Sequence, residues 1–246
     1  MRRVVRLERV DSTQMTAFAL AADGAAHDGT VVVADYQASG RGRRGRTWEA
    51  SPGQSLLSTI LVRPRLPAAQ WPAYSLVAAV AVAEALARTA ALAARLKWPN
   101  DVLIAGRKIA GILLESRSVG DAGTAMVAVG VGINLAQRAF PAALAARATS
   151  VAIETGRTVP GDAMLGSLLD AFDAWRARLE GEGMAPVRAR WLALADTIGR
   201  RVSIDGVSGV AVDLDPDGAL VLDGASGRHR VMAGEVRDEA EHAARP

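Results

Sequence analysis

Residues 95–135, RLKWPNDVLIAGRKIAGILLESRSVGDAGTAMVAVGVGINL, decide the fold class. Glycine and aspartate turns cut this apolar run into strand-length pieces. Connections so short join antiparallel neighbours, because a parallel pair needs a long crossover. Working outward, residues 4–10 alternate as a short strand, and Asp11-Ser12-Thr13 offers N-cap residues for a helix to about Ala22. Thr30–Tyr36 and Ser55–Val62 are further strands, Trp71–Ala93 a long helix, and 161–181 and 184–195 two more helices. Helices and strands interleave, but the hairpin-like joins predict an α+β fold, a mixed or antiparallel sheet with helices, rather than a doubly wound one. The texture changes near Ile198. Short runs at 201–204, 209–214, 219–222 and 229–232 are split by Asp205-Gly206, Asp217-Gly218 and Asp223-Gly224, the pattern of a small SH3-like β-barrel. The expected division is a larger domain over 1–195, a small C-terminal domain over 196–238 and a frayed tail over 239–246.

Composition narrows the function. Half of the 246 residues are hydrophobic, enough for a substantial core. The formal charge is only +3, and the sequence pI of about 9.9 reflects the high pKa of arginine rather than a basic surface. There is no cysteine, which excludes disulfides, thiolate metal sites and cysteine nucleophiles and fits a cytoplasmic protein. His27, His229 and His242 have no metal-ligand spacing. The start, Met1-Arg2-Arg3-Val4-Val5, has no apolar stretch of signal-peptide length. Residues 75–94 carry Glu84 and Arg88 and read as a buried helix, not a membrane span.

Lysine and asparagine are almost absent. Only Lys97 and Lys108 among 29 basic residues are lysines, and Asn100 and Asn134 are the only asparagines. Arginine replaces lysine where charge alone matters, but its planar fork does not replace a compact ammonium everywhere. The surviving lysines are therefore the first candidates for chemistry.

Three series surround them. Gly40-Arg41-Gly42-Arg43-Arg44-Gly45-Arg46 puts four arginines and three glycines in seven residues. Glycine allows close backbone approach and arginine binds carboxylate or phosphate through two N–H groups. The loop suits a small anionic ligand, a nucleic-acid arm or plain solvation, and it lacks the Gly-Lys-Ser/Thr ending of a Walker loop. Its like charges predict mobility until a ligand closes it. Trp48 beyond it is either a core aromatic or a cover for a planar base. In Lys97-Trp98-Pro99-Asn100-Asp101, Pro99 favours an extended Trp98 and Asn100-Asp101 a turn. Lys97, Asn100 and Asp101 would then share a space suited to a phosphate and a divalent cation, or simply form a solvated turn. Lys108 opens an apolar strand ending at Glu115, either as an edge guard or as a cation between a carboxylate and an α-phosphate. Gly111 lets a ring or backbone approach that strand. Gly130 and Gly132 clear a slot on one strand face, for a flat ligand or a packed helix, with Asn134 at its end. Gly-X-Gly without a third glycine and a helix is no dinucleotide fingerprint. A phosphate cradle, a ring slot and a lysine between two anions suit activation of a carboxylate by ATP.

In order and spacing these series resemble the signature of biotin–protein ligases from about Ser12 to Asn134, and the β-rich end is similar to that family's C-terminal domain. The resemblance implies that biotin and ATP form biotinoyl-5′-adenylate and pyrophosphate. The adenylate then acylates a lysine in the biotin carrier domain of an acyl-CoA or pyruvate carboxylase. Carried over by position, Ser12, Thr13, Gln37, Gly40, Arg41, Arg43 and Lys108 would contact biotin, with Gly111, Gly130 and Gly132 forming its ring pocket. Arg43, Arg46, Trp48, Lys97, Asn100, Asp101 and Asn134 would serve ATP and the adenylate, Asp101 also holding Mg²⁺. Lys108, Arg43, Arg46 and Lys97 would be the catalytic group. ATP and Mg²⁺ would be co-substrate and activating ion, with no tightly bound prosthetic group. Gln14 departs from the family's usual asparagine. Some members carry an N-terminal helix-turn-helix that represses transcription. Here the catalytic part begins almost at Met1, so no direct DNA binding is expected, nor a membrane, and the chain would be a monomer or homodimer. The rivals are a lipoate or octanoate protein ligase, with a different ring pocket, and a nucleic-acid-binding protein, which would add more stacking aromatics than Trp48. A non-catalytic biotin sensor is a third, against which the intact Lys97 and Lys108 stand.

Overall fold

The computed structural model describes residues 2–121 and 123–238. Seven strands form a large sheet: β1 (Val4–Val10), β2 (Val31–Gln37), β3 (Ser55–Val62), β4 (Arg95–Lys97), β5 (Asp101–Ile104), β6 (Arg107–Val119) and β7 (Thr124–Asn134), in the order β1-β2-β3-β7-β6-β5-β4. β1 and β2 are parallel, joined through helix α1 (Thr13–Ala22), and all other pairings are antiparallel. The fold is thus the α+β arrangement that residues 95–135 foretold.

Strand alternation divides the core between two layers. Val31, Val33, Ile60 and Val62 join the core of α2 (Ala73–Ala90) and α5 (Gly161–Glu182), while Val32 and Leu61 turn to the opposite face, against Ala17 and Phe18 of α1. Covered on both faces, all eight residues of β3 are buried. The alanine-rich α2 starts two residues later than the sequence suggests, because Pro72 takes the N-cap. It ends at Ala90, where Ala91 turns left-handed at φ 55, its N–H donating to the Ala87 carbonyl and the Leu92 N–H to the Leu86 carbonyl. The stretch Ala68–Ala90 is long and apolar enough to cross a membrane, but 72% of an 18-residue apolar window within it is buried, as in a core helix. Two short helices, α3 (Ala142–Ala145) and α4 (Val151–Thr155), escaped the sequence reading, and α6 (Met184–Leu194) follows α5.

The C-terminal module is an antiparallel sheet of β8 (Arg201–Ile204), β9 (Val207–Leu214), β10 (Leu220–Gly224), β11 (Gly227–Val231) and β12 (Arg237–Asp238), in the order β11-β10-β9-β8-β12. Asp205-Gly206 turns β8 into β9 with φ 48 and 88, the left-handed pair of a tight hairpin. Asp223-Gly224 is not a turn. Both residues continue β10, and the chain reverses one step later. A Cβ at Gly224 would press 2.6 Å from the Ser208 carbonyl oxygen, so this glycine serves a close strand crossing. The tail expected at 239–246 lies outside the described residues.

A polar cluster fastens α5 to the sheet. Arg176, 9% exposed, donates to Asp28 (2.8 and 3.1 Å), Glu180 (2.8 Å) and the Arg63 carbonyl (3.3 Å). The Tyr74 hydroxyl donates to the same Glu180 at 2.9 Å. Burial pushes the Asp28 carboxyl up, but the bonds from Arg176 and the Arg63 N–H outweigh it and hold the pKa below the ordinary value. A depressed carboxylate stabilises the fold above its unfolded pKa, and that contribution is lost as pH falls through the folded value. Removing one partner of a buried ion pair costs about 3 kcal/mol or more; that applies to Arg176–Glu180, with side chains 10% and 12% exposed, while Asp28, 38% exposed, adds a smaller, solvent-screened share. Arg176→Met should therefore destabilise strongly at neutral pH and less at a pH just below 3.8, the ordinary aspartate value. Denaturant unfolding at both pH values checks this; an equal loss at each would disconnect Arg176 from Asp28.

Candidate active site

A cavity of about 530 Å³ opens on the α1 side of the large sheet. Along that face β7 presents Met126, Ala128, Gly130, Gly132 and Asn134. The first two are buried under α1, and the glycines lie at its N-terminal end, where Gln14 sits over Gly130. Gly132 stands opposite Gly111 of β6, so this rung of the sheet has no side chain on either strand. The flat group in the slot is the chain's own Trp48 indole. A Cβ on Gly132 would lie 2.7 Å from the indole Cε2, and one on Gly111 would lie 3.0 Å from Cζ3. The indole N–H is buried without a hydrogen-bond partner, at a cost of about 1–3 kcal/mol that another ring position or an acceptor would recover.

The first turn of α1 forms the polar end. Thr59 donates its hydroxyl to Thr13 (2.8 Å), and the Thr13 hydroxyl and N–H both donate to the Gln37 side-chain carbonyl (3.0 and 2.8 Å). Gln37 thereby caps one of the free amides at the helix start. Ser12, the N-cap residue, is buried and makes no side-chain cap bond. Gln14 has its own anchorage, donating from Nε2 to the Leu113 and Ala128 carbonyls (2.8 and 3.2 Å).

Lys108 reaches the cavity through an irregularity. It is three residues from Gly111, which in a regular strand would point the two to opposite faces. The β5–β6 pairing shifts register: Val102 faces Ala110, but Leu103 faces Lys108, leaving Ile109 as an extra residue. This bulge turns Lys108 back to the face of Gly111. Its backbone is held by the next segment of chain, its N–H donating to the Arg147 carbonyl and its carbonyl accepting from the Thr149 N–H (2.8 and 2.9 Å). The ammonium lies 2.6 Å from Asp101 and 5.5 Å from the Trp48 ring centre. Asp101 pairs with Lys97 across the β4–β5 hairpin, whose turn contains a cis Trp98-Pro99 bond. Asn100 donates to the Ile112 carbonyl (2.8 Å) and accepts from Arg43 (3.4 Å).

The arginine–glycine loop has a defined path. Its base is cross-linked by an Arg41–Thr47 bridge and by the Trp48 N–H on the Gly40 carbonyl at 2.9 Å. Its apex, Arg43–Gly45, is a 3₁₀ turn with Arg44 left-handed at φ 57. The like charges expected to repel are met by carboxylates: Arg41 by Glu115 (2.8 Å), Arg44 by Asp205 (2.8 Å) and Arg46 by Glu235 (3.0 Å). Burial pushes the pKa of the half-buried Arg43 down, Asp101 pulls it up, and Arg44 and Arg46 push it down.

Every residue the sequence proposed for the site except Gly40 lines this cavity. A Cβ on Gly40 would collide with the Trp48 carbonyl, so that glycine permits the crossing of the loop's two limbs. The guanidinium of Arg41 turns to Glu115, and that of Arg46 to Glu235. The Asn134 amide donates to the Thr149 carbonyl at 2.9 Å, bracing the segment that holds Lys108. Sequence reading missed Phe140, Leu144 and Arg147 at the wall, and Gly234–Val236 of the C-terminal module. No local motif marks these; only the tertiary fold brings them in. Among the described residues no three histidine or acidic side chains gather as a metal site.

Residues 7–134 match the biotin/lipoate A/B protein ligase family, and residues 197–237 match the biotin protein ligase C-terminal domain. The chain is 42% identical over 241 residues to the biotin–[acetyl-CoA-carboxylase] ligase of Paracoccus denitrificans, covering 94% of this chain and 98% of that one. It is 36% identical over 239 residues to the like-named ligase of Mycobacterium tuberculosis, covering 92% and 85%. The biotin protein ligase of Aquifex aeolicus in complex with biotin and ATP is similar in structure, with a TM-score of 0.84 at 27% identity over 96% of this chain and 98% of that one. With a glycine-floored slot, Lys108 delivered to it and both family domains matched in order, the chain belongs to the biotin protein ligase family.

Proposed function

We propose that this chain forms biotinoyl-5′-adenylate from biotin and ATP and transfers the biotinoyl group to a lysine of a carboxylase carrier protein. The observation that carries this is Lys108, set by the Ile109 bulge over the Gly111–Gly132 rung with Asp101 at 2.6 Å.

The biotin ring would enter beside Thr13, Gln37 and Ser12, with the indole of Trp48 leaving the slot to become its cover. The carboxylate would then point toward Lys108. One carboxylate oxygen attacks the α-phosphorus, the bond from that phosphorus to the bridging oxygen breaks, and pyrophosphate departs. The barrier is the approach of one anion to another, and a fixed ammonium at their meeting point lowers it. Asp101 holds the ammonium in place. Arg43, whose bonds to Asn100 and the Gly234 carbonyl are both long at 3.4 Å, is free to turn to a phosphate, and Lys97 and Asn100 flank it. In the second step the neutral amine of the carrier lysine attacks the acyl carbon, AMP leaves, and the amine proton passes to solvent.

Magnesium in such chemistry neutralises phosphate charge. Asp101 alone, already paired with Lys108, does not build a protein metal site, so the ion would arrive on ATP with Asp101 at most a supplementary ligand. The carrier would be the biotin domain of an acyl-CoA or pyruvate carboxylase, met in the cytoplasm.

Incubation with ATP, Mg²⁺ and either biotin or lipoate, followed by mass spectrometry, is expected to yield biotinoyl-adenylate alone. Lipoyl-adenylate alone would keep the mechanism and overturn the substrate. Lys108→Arg should lower the rate of adenylate formation on the order of a hundredfold with an unchanged melting curve; wild-type turnover would remove Lys108 from the chemistry. Gly132→Ala forces the indole aside in the slot and should raise the KM for biotin on the order of tenfold, which steady-state kinetics at saturating ATP would read. An unchanged KM would place biotin elsewhere.

A further inference from the structure

The apex of the arginine loop leans on the C-terminal module. Arg44 makes a two-pronged contact with Asp205 at 2.9 and 2.8 Å, Arg46 pairs with Glu235 at 3.0 Å, and Arg43 reaches the Gly234 carbonyl at 3.4 Å. Toward the large sheet, among the described residues, the apex makes one long hydrogen bond, Arg43 to Asn100 at 3.4 Å. The two carboxylates stand on one platform. Asp205 is at the tip of the β8–β9 hairpin, and Gly234 packs its bare α-carbon against Ile204, the residue before it. A side chain at Gly234 would collide with Ile204 and lie 3.2 Å from the Asp205 carboxylate. Arg44 is held left-handed at φ 57, a conformation an arginine adopts only at a cost, and one its surroundings must impose.

These ion pairs are poor choices for stability. Their side chains are 49% and 49% exposed at Arg44–Asp205 and 59% and 40% at Arg46–Glu235, and exposed pairs contribute little to folding. What they do fix is the position of a loop that forms one wall of the cavity. We propose that Asp205 and Glu235 are positioning residues that clamp the arginine loop across the cavity and so keep the acyl-adenylate bound until the carrier lysine arrives. The inference rests on the adenylate-forming reading above. In a two-step transfer the first product must wait for a protein partner, and the exit of a bound anion is governed by the wall that has to swing away. The clamp is weak enough to open, and opening costs the large sheet nothing.

Wild-type protein and the variants Asp205→Asn, Glu235→Gln and their double would be loaded with labelled biotin and ATP, freed of excess, and chased with unlabelled biotin. Asn-Gly suits the same hairpin turn, so Asp205→Asn keeps the platform. Each exposed pair is worth up to about fivefold, so the double variant is expected to release adenylate on the order of tenfold faster. The initial rate of adenylate formation at saturating substrates should stay within about twofold in Asp205→Asn, because Asp205 is not among the residues that line the cavity. Arg44→Gln combined with Asp205→Asn should release no faster than either single variant, the mark of one shared contact. Release at the wild-type rate in the double variant, or fully additive effects of Arg44→Gln and Asp205→Asn, would overturn the clamp. Should the wild type form no adenylate at all, the reading of the reaction fails, and the clamp is judged by trypsin cutting after Arg43, Arg44 and Arg46. Faster cutting in the double variant then supports it, and equal cutting overturns it.

Discussion

At one rung of the large sheet the two strands β6 and β7 carry no side chain toward α1, because Gly111 stands opposite Gly132. The site is organised around that gap. Farther along the same two strands, under α1, ordinary residues return: Leu113 stands opposite Gly130, and Ala128 packs under the helix. With α1 starting at Thr13, the bare rung lies beyond the helix's first turn, and a cavity forms where a helix would otherwise seal the sheet. Glycines weaken a strand by roughly 1 kcal/mol each. Here β7 tolerates them because it is central, paired with β3 over Val127–Asn134 and with β6 over Thr124–Ile133, with Val127, Val129, Val131 and Ile133 buried on the other face.

Placing a cation over such a gap poses a geometric problem that the bulge solves. Lys108 must leave a strand whose neighbours Ile109, Ala110 and Ile112 all belong to the core, and period-two alternation would bury it with them. The extra residue at Ile109 changes the phase of the strand once, and the segment Arg147–Thr149 then pairs with the backbone that β7 no longer reaches. The Lys108–Asp101 pair is partly exposed, at 34% and 28%, so its worth lies in aiming the ammonium rather than in folding energy.

Much of this was legible in residue choice. A chain that uses arginine almost everywhere kept lysine at two positions, and both line the cavity. The alternation Gly130-Val131-Gly132 implied a slot, and the stretch 97–101 forms a hairpin that sets Asp101 opposite Gly111, on the face that Lys108 reaches. What stayed hidden was phase and distance. No residue in 107–115 announces that Ile109 is surplus, because a bulge is defined by the partner strand. The arginine loop read as unsupported charge because its counter-charges, Glu115, Asp205 and Glu235, lie far along the chain. Gly40, read as a ligand contact, has a further role that the sequence did not show, in the loop's own crossing. Asp223-Gly224 looked like a third hairpin turn, but glycine was needed there for close strand approach.

The two walls of the cavity are held by different physics, and the difference suits a two-step reaction. The floor is a buried sheet whose backbone bonds and apolar packing leave no inexpensive way to move. The opposite wall is a loop fastened at its base by backbone bonds and at its apex by exposed ion pairs. Charge-aligned contacts of that kind are strongly directional in position but weak in free energy, and water replaces them readily. A floor that never shifts keeps the lysine aligned with the reacting carboxylate through every turnover. A wall that opens for a small cost lets two anionic substrates in and, later, a carrier lysine. An enzyme that closed the same cavity with buried apolar contacts would hold its intermediate longer but would have to unpack a core to hand it over.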